Sequence, residues 1–179
     1  MKAMVSLSIS KQYEAIGEYF CSLIKLAGFD DINIIKPSTV EKPEAERIKE
    51  AINNSDVVIS IQTKKHKLEE VEDNQYLPSS WLIDEIGRAA QAGKPIGAFI
   101  EEGITDLDHL IKVLQGDYLL FNRNNNPYIE PDKVINYLRT LRQKAVSLKE
   151  ETFKKLPYEL IKITRNVAIR NMDKKSYLF

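Results

Sequence analysis

The chain has 179 residues, 43% of them hydrophobic and 29% charged, which suits one domain with a proper core and an appended helical segment. Its 26 basic side chains balance 26 acidic ones, so the basic excess that usually marks a nucleic-acid binder is missing. A single cysteine, Cys21, excludes an intramolecular disulfide and a Cys-rich zinc site, and no apolar run approaches the roughly 20 residues a membrane span needs. The start, MKAMVSLSIS, carries too short an apolar run for a signal peptide, so a cytoplasmic protein is expected.

Residues 3–9, AMVSLSI, read as a first strand that ends in a polar turn holding Ser8, Ser10, Lys11 and Gln12. Helical spacing follows through Ile16, Tyr19, Phe20, Leu23, Ile24 and Ala27, closed by Gly28 as a cap; Cys21 in that apolar setting reads as a buried structural thiol. INIIK is a second strand, stopped by Pro37, and the stretch after it gives a loop and a second helix with Pro43 in its first turn. DVVISIQT, residues 56–63, is a continuous β-branched run of the kind buried on both faces of a parallel sheet.

Residues 79–103, SSWLIDEIGRAAQAGKPIGAFIEEG, read as a capped helix, a Gly turn and a buried strand over residues 95–101. Winding the helix at about 100° per residue puts Leu82, Ile83, Ile86, Ala89 and Ala90 on one face, with Asp84, Arg88 and Gln91 opposite. Glu85 falls on neither face but at the edge of the apolar stripe, one turn after Trp81. A short helix opening at Thr105, a strand over residues 117–122, a turn-rich loop and a helix over residues 132–149 complete the pattern. Past a Pro break, Leu160, Ile161, Ile163, Val167, Ala168 and Ile169 mark a last helix, giving a domain over residues 1–149 and an extension over residues 150–179.

Five strands separated by helices predict an α/β fold, a parallel sheet covered on both faces, and right-handed crossovers favour the flavodoxin-like order 2-1-3-4-5. Ligands of such sheets bind outside the carboxyl ends of the strands at the switch point beside strand one. That edge gathers Ser8, Ser10 and the helix of Glu85.

Several chemistries drop out. Strand one runs into Ser-Ile-Ser-Lys-Gln and no Gly-rich phosphate loop follows it. His66 and His109 lack partners at metal-ligand spacing, no Gly-x-Ser-x-Gly elbow is present, and no metal site is expected. KKHK, residues 64–67, reads as a solvated loop that the following EEVED neutralises. A receiver-like phosphoacceptor is a poor match, because strand one lacks paired acidic residues and strand three ends in Gln62 and Thr63.

The remaining pattern resembles TIR-like domains over roughly residues 1–145. LSIS is similar to that family's first-strand ending, NNSDVVISI to its third strand, AGKPIGAFIEEG to its fourth, and SSWLIDE to the Ser-x-Trp-x-x-x-Glu start of its third helix. The chain departs from the family where Ile9 replaces an aromatic after strand one, and where strand two lacks an Arg-Asp-Gly-like loop. The resemblance implies an NAD glycohydrolase with Glu85 as its catalytic carboxylate, Ser8, Ser10 and Trp81 as substrate contacts, NAD as substrate and no further cofactor. It also implies a homo-oligomer, assembled through helices and the C-terminal segment, with a role in microbial stress or antiviral defence. DEIGRAAQAGKP also resembles nucleoside deoxyribosyltransferase-like proteins, in which the Glu is a nucleophile, although YLPSSW replaces their Asp-x-Gly-Thr approach. A TIR-like scaffold or nucleotide-signal sensor acting by self-association is the non-enzymatic alternative.

Overall fold

The computed structural model describes residues 1–7, 13–34, 43–64, 66–67, 76–77, 79–105, 112–115 and 117–154, the side chains at 66, 67, 80, 81 and 153 excepted. The elements are β1 (Lys2–Leu7), α1 (Glu14–Leu26), β2 (Asp31–Ile34), α2 (Glu44–Asn53), β3 (Val57–Gln62), β4 (His66–Lys67), β5 (Tyr76–Leu77), α3 (Ser80–Gln91), β6 (Ile96–Glu101), β7 (Tyr118–Phe121) and α4 (Pro131–Lys154). Five strands form one parallel sheet in the order β2-β1-β3-β6-β7, the flavodoxin-like arrangement expected from the alternation of strands and helices.

Alternation along each strand divides the core between the two faces of the sheet. Ala3, Val5, Val57, Ile59, Ile61 and Phe99 face α1 and α4, where Ile16, Phe20, Ile24, Val134, Leu138 and Leu141 cover them. Phe20 stands at the centre of this layer, 4.6 Å from the Phe99 ring and 5.2 Å from that of Phe121. Complete burial of such a ring contributes about 2–3 kcal/mol. On the other face, Met4 and Val58 pack against Ile48, Ala51 and Ile52 of α2 and Ala89 of α3. Ala98 and Ile100 meet Ile86 of α3 there. β3 is buried along its whole length, as its unbroken β-branched run requires of a central strand.

The helix ends follow local chemistry. Pro43 is the N-cap of α2 and Ser79 that of α3, and Gly28 takes φ +93° just beyond α1, a conformation costly for a side-chain-bearing residue. Lys94 donates to the carbonyls of Asn53 and Ser55 at 3.1 and 2.6 Å, satisfying groups at the end of α2. Cys21 is half-buried rather than fully enclosed, and desolvation raises its thiol pKa.

Some boundaries differ from the sequence reading. β1 is described from Lys2 to Leu7, and residues 8 and 9 of the expected strand, Ser8 and Ile9, lie with Ser10 outside the described residues. The apolar stripe of α3 holds Leu82, Ile86 and Ala89, but Ala90 is exposed and Ile83 only partly covered. The antiparallel pair β4–β5 was not anticipated, since two-residue strands carry no measurable period. It is tied to the loop after β6, with the Tyr76 N–H donating to Gly103 O at 3.2 Å and the Thr105 N–H to Tyr76 O at 2.9 Å. Of the helix expected from Thr105, residues 112–114 are helical, and residues 106–111 lie outside the described residues.

Contacts divide the chain into Met1–Ala145 and Val146–Phe179. In the second unit, residues 146–154 form the final turns of α4, and the helix expected near Leu160–Ile169 lies outside the described residues. Among the described residues, no helix is long and apolar enough to cross a membrane.

Candidate active site

The order of the sheet reverses at β1, because the chain places β2 on one side of it and β3 on the other. A crevice opens outside the carboxyl ends of strands at such a point. The last position of β1 on the α2 and α3 side is a hydroxyl, and so is its register partner on β3. Ser6 of β1 lies beside Ser60 of β3 in register, and both are buried.

Into this place α3 delivers Glu85. Its carboxyl is only 7% exposed, although sequence periodicity put it merely at the rim of the apolar stripe. Ser6 Oγ donates a hydrogen bond to Glu85 Oε2. Desolvation raises the Glu85 pKa, the Ser6 hydrogen bond pulls it back, and the neighbouring charges of Asp84 and Glu44 push it up again. Because α3 begins at Ser80, Glu85 stands in the second turn, where the helix dipole has largely faded. Ser6, rather than the helix N-terminus, is therefore what favours the ionised form.

Beyond Ser6, the Ser60 hydroxyl accepts a hydrogen bond of 2.8 Å from Gln62 Nε2. Gln62 is fully buried and Thr63 nearly so. Their remaining atoms, Gln62 Oε1 and Thr63 Oγ1, have no hydrogen-bond partner among the described residues. Sequence reasoning missed Ser6, Ser60 and Gln62 as site residues. The signal was present as a period of two: Ser6 alternates with Val5 and Leu7, while Ser60 and Gln62 alternate with Ile59 and Ile61. Trp81 belongs to the first turn of α3, and its side chain lies outside the described residues.

A second charged group sits on the other side of the sheet. Glu101 at the end of β6 is 1% exposed and is gripped by the Arg123 guanidinium through both carboxylate oxygens. The Lys64 N–H donates to Glu101 Oε2 at 2.9 Å, and the Tyr13 hydroxyl donates to Lys64 O. Arg123 stands 5.2 Å from the centroid of the Tyr13 ring, and the Lys64 ammonium 5.1 Å from that of Tyr76. Lys64 is thus held within the fold, contrary to its reading as a freely solvated member of a basic run. The carboxyl of Glu101 is consumed by this brace, which holds the backbone of Lys64 just past β3. Among the described residues, Glu85 has no such cation. Among the described residues, no group of three His, Cys, Asp or Glu side chains is placed to hold a metal ion.

No family model matches the chain, and no curated protein sequence does. Solved structures match it in fold. A flavo di-iron protein mutant from Thermotoga maritima aligns at TM-score 0.51 and 17% identity, over 80% of this chain and 35% of that one. A flavodoxin-like domain from Synechococcus aligns at 0.49 and 12%, over 82% and 99%. A CMP N-glycosidase from Clostridium botulinum aligns at 0.46 and 17%, over 80% and 99%. The sheet order and the likeness at TM-score 0.51 show the flavodoxin-like fold alone, and the functional reading rests on the site.

Proposed function

We propose that the protein is an N-glycosidase that cleaves the nicotinamide–ribose bond of NAD, with Glu85 as the catalytic carboxylate. The observation that carries this reading is a buried carboxylate, held by a serine hydroxyl and without a cation partner among the described residues, at the switch point of the sheet. The TIR-like pattern around Trp81 and Glu85 supports NAD as the substrate.

One carboxylate suffices for this reaction. The C1′–nitrogen bond breaks with its electron pair moving onto the pyridinium nitrogen, so nicotinamide leaves neutral and takes no proton. Ordinary glycoside hydrolysis, in contrast, uses an acid and a second carboxylate. Positive charge develops on the ribose as the bond breaks, and ionised Glu85 in a poorly hydrated place stabilises it strongly. Ser6 fixes the direction of the carboxylate and favours its ionised form against the effect of burial. Water then forms the new bond to C1′ and releases one proton, giving ADP-ribose, nicotinamide and H⁺. Self-association as the trigger, and a part in defence, are extensions of the same proposal.

The test is a substrate panel at high protein concentration, with products separated by chromatography. The reading predicts nicotinamide and ADP-ribose from NAD, with no base released from 2′-deoxynucleosides. Base release or exchange from deoxynucleosides, with NAD untouched, would overturn NAD as substrate and keep Glu85 as a nucleophile of the deoxyribosyltransferase kind.

A further inference from the structure

Among the described residues, a fully buried acceptor beside the candidate site has no donor. Gln62 is 0% exposed, its Nε2 is committed to Ser60 at 2.8 Å, and its Oε1 is without a partner among the described residues. A buried carbonyl oxygen in that condition weakens the fold unless a water or a ligand supplies the missing donor. Strand alternation and the bond to Ser60 place the Gln62 side chain on the α3 side of the sheet. It stands two residues past Ser60, about 6.6 Å nearer the carboxyl edge. Ser60 itself lies beside Ser6, the residue that holds Glu85.

We infer that Gln62 is a specificity-determining residue whose Oε1 accepts a hydrogen bond from the 2′-hydroxyl of the substrate ribose. The inference rests on the proposed N-glycosidase reading, in which Glu85 addresses C1′ of the sugar. The substituent next to C1′ is the 2′-hydroxyl, a donor, and the unpaired acceptor lies one strand away from the Glu85–Ser6 pair. The amide gives its Nε2 to Ser60 and turns its oxygen away from that hydroxyl. A ribosyl substrate satisfies that oxygen. A 2′-deoxyribosyl substrate leaves it buried and unpaired, which is the strongest form of discrimination a polar pocket possesses.

The test measures binding by calorimetry to Glu85→Gln, which holds substrate without consuming it. The two probes are NAD and its analogue lacking the 2′-hydroxyl of the nicotinamide ribose. NAD is expected to bind about tenfold tighter than the analogue. In Glu85→Gln/Gln62→Met the two are expected to bind alike, at the weaker level. Ser60→Ala in the same background keeps the amide but removes its anchor, and is expected to shrink the preference. Because Gln62→Met also takes the donor from the Ser60 hydroxyl, its melting temperature is compared within the Ser60→Ala background, where it should be no lower; a preference for NAD retained without Gln62 would make it a structural residue and overturn the inference. Equal binding of the two probes to Glu85→Gln would overturn the role of Gln62 alone, leaving turnover of NAD by the wild type standing. Neither probe bound, and no turnover by the wild type, would overturn both.

Discussion

A carboxylate removed from water holds its proton more tightly, and a hydroxyl donating to it works the other way. Both act on Glu85, and burial is the larger effect. The acid limb of the kcat/KM profile, followed by nicotinamide release across pH, is therefore expected above the ordinary glutamate value of 4.5. Removing the donor with Ser6→Ala should carry that limb to still higher pH. An unchanged limb would show that Ser6 does not touch the reacting carboxylate. Stability carries the opposite sign. Between the unfolded and the raised folded value the native state binds the extra proton, so Glu85 costs stability progressively as pH rises through that window. Glu85→Gln should melt at or above the wild type at pH 7 and lose this advantage below 4.5, which thermal denaturation at both pH values checks. A site residue whose loss stabilises the fold has its purpose in function.

The elements around the site are set by close packing and by buried polar groups that have partners. α4 approaches β6 at Gly97, where a Cβ would come within 2.8 Å of the Leu141 side chain and 3.4 Å of the Tyr137 ring. Gly97→Ala should cost about 1–3 kcal/mol in denaturant unfolding, since overpacking forces the helix off the strand. The Tyr137 hydroxyl accepts from Ala98 N–H at 3.0 Å and donates to Asp117 O at 2.9 Å, joining β6 to the entry of β7. At the far end of β6, Arg123→Met would leave the buried Glu101 carboxylate without its cation, at a cost of about 3 kcal/mol in the same assay. These long-range contacts were not legible in the sequence, because no period relates Arg123 to Glu101 or Tyr137 to Gly97. The element pattern was legible where each segment is long enough to show a period: the β-branched run of β3, the stripes of α1 and α3, and the proline and glycine stops. The β4–β5 ribbon was not legible for the converse reason.

At the scale of the whole molecule, parallel order and right-handed crossovers determine where a site can be, and residue chemistry determines what it is. The alternation of strands and helices therefore led to the observed sheet order and to Glu85 lying near the carboxyl end of β1. It did not reveal that Ser6 and Ser60 meet there, since cross-strand register depends on packing of the complete sheet. The central claim is that Glu85 breaks an N-glycosidic bond. It is tested most directly by single-turnover release of nicotinamide from NAD by the wild type and Glu85→Gln, with ADP-ribose binding measured on both. The account predicts release by the wild type, a loss of about a thousandfold or more in the variant, and ADP-ribose binding retained. Equal release by the two proteins would contradict it, and so would a variant that loses release only because it no longer binds.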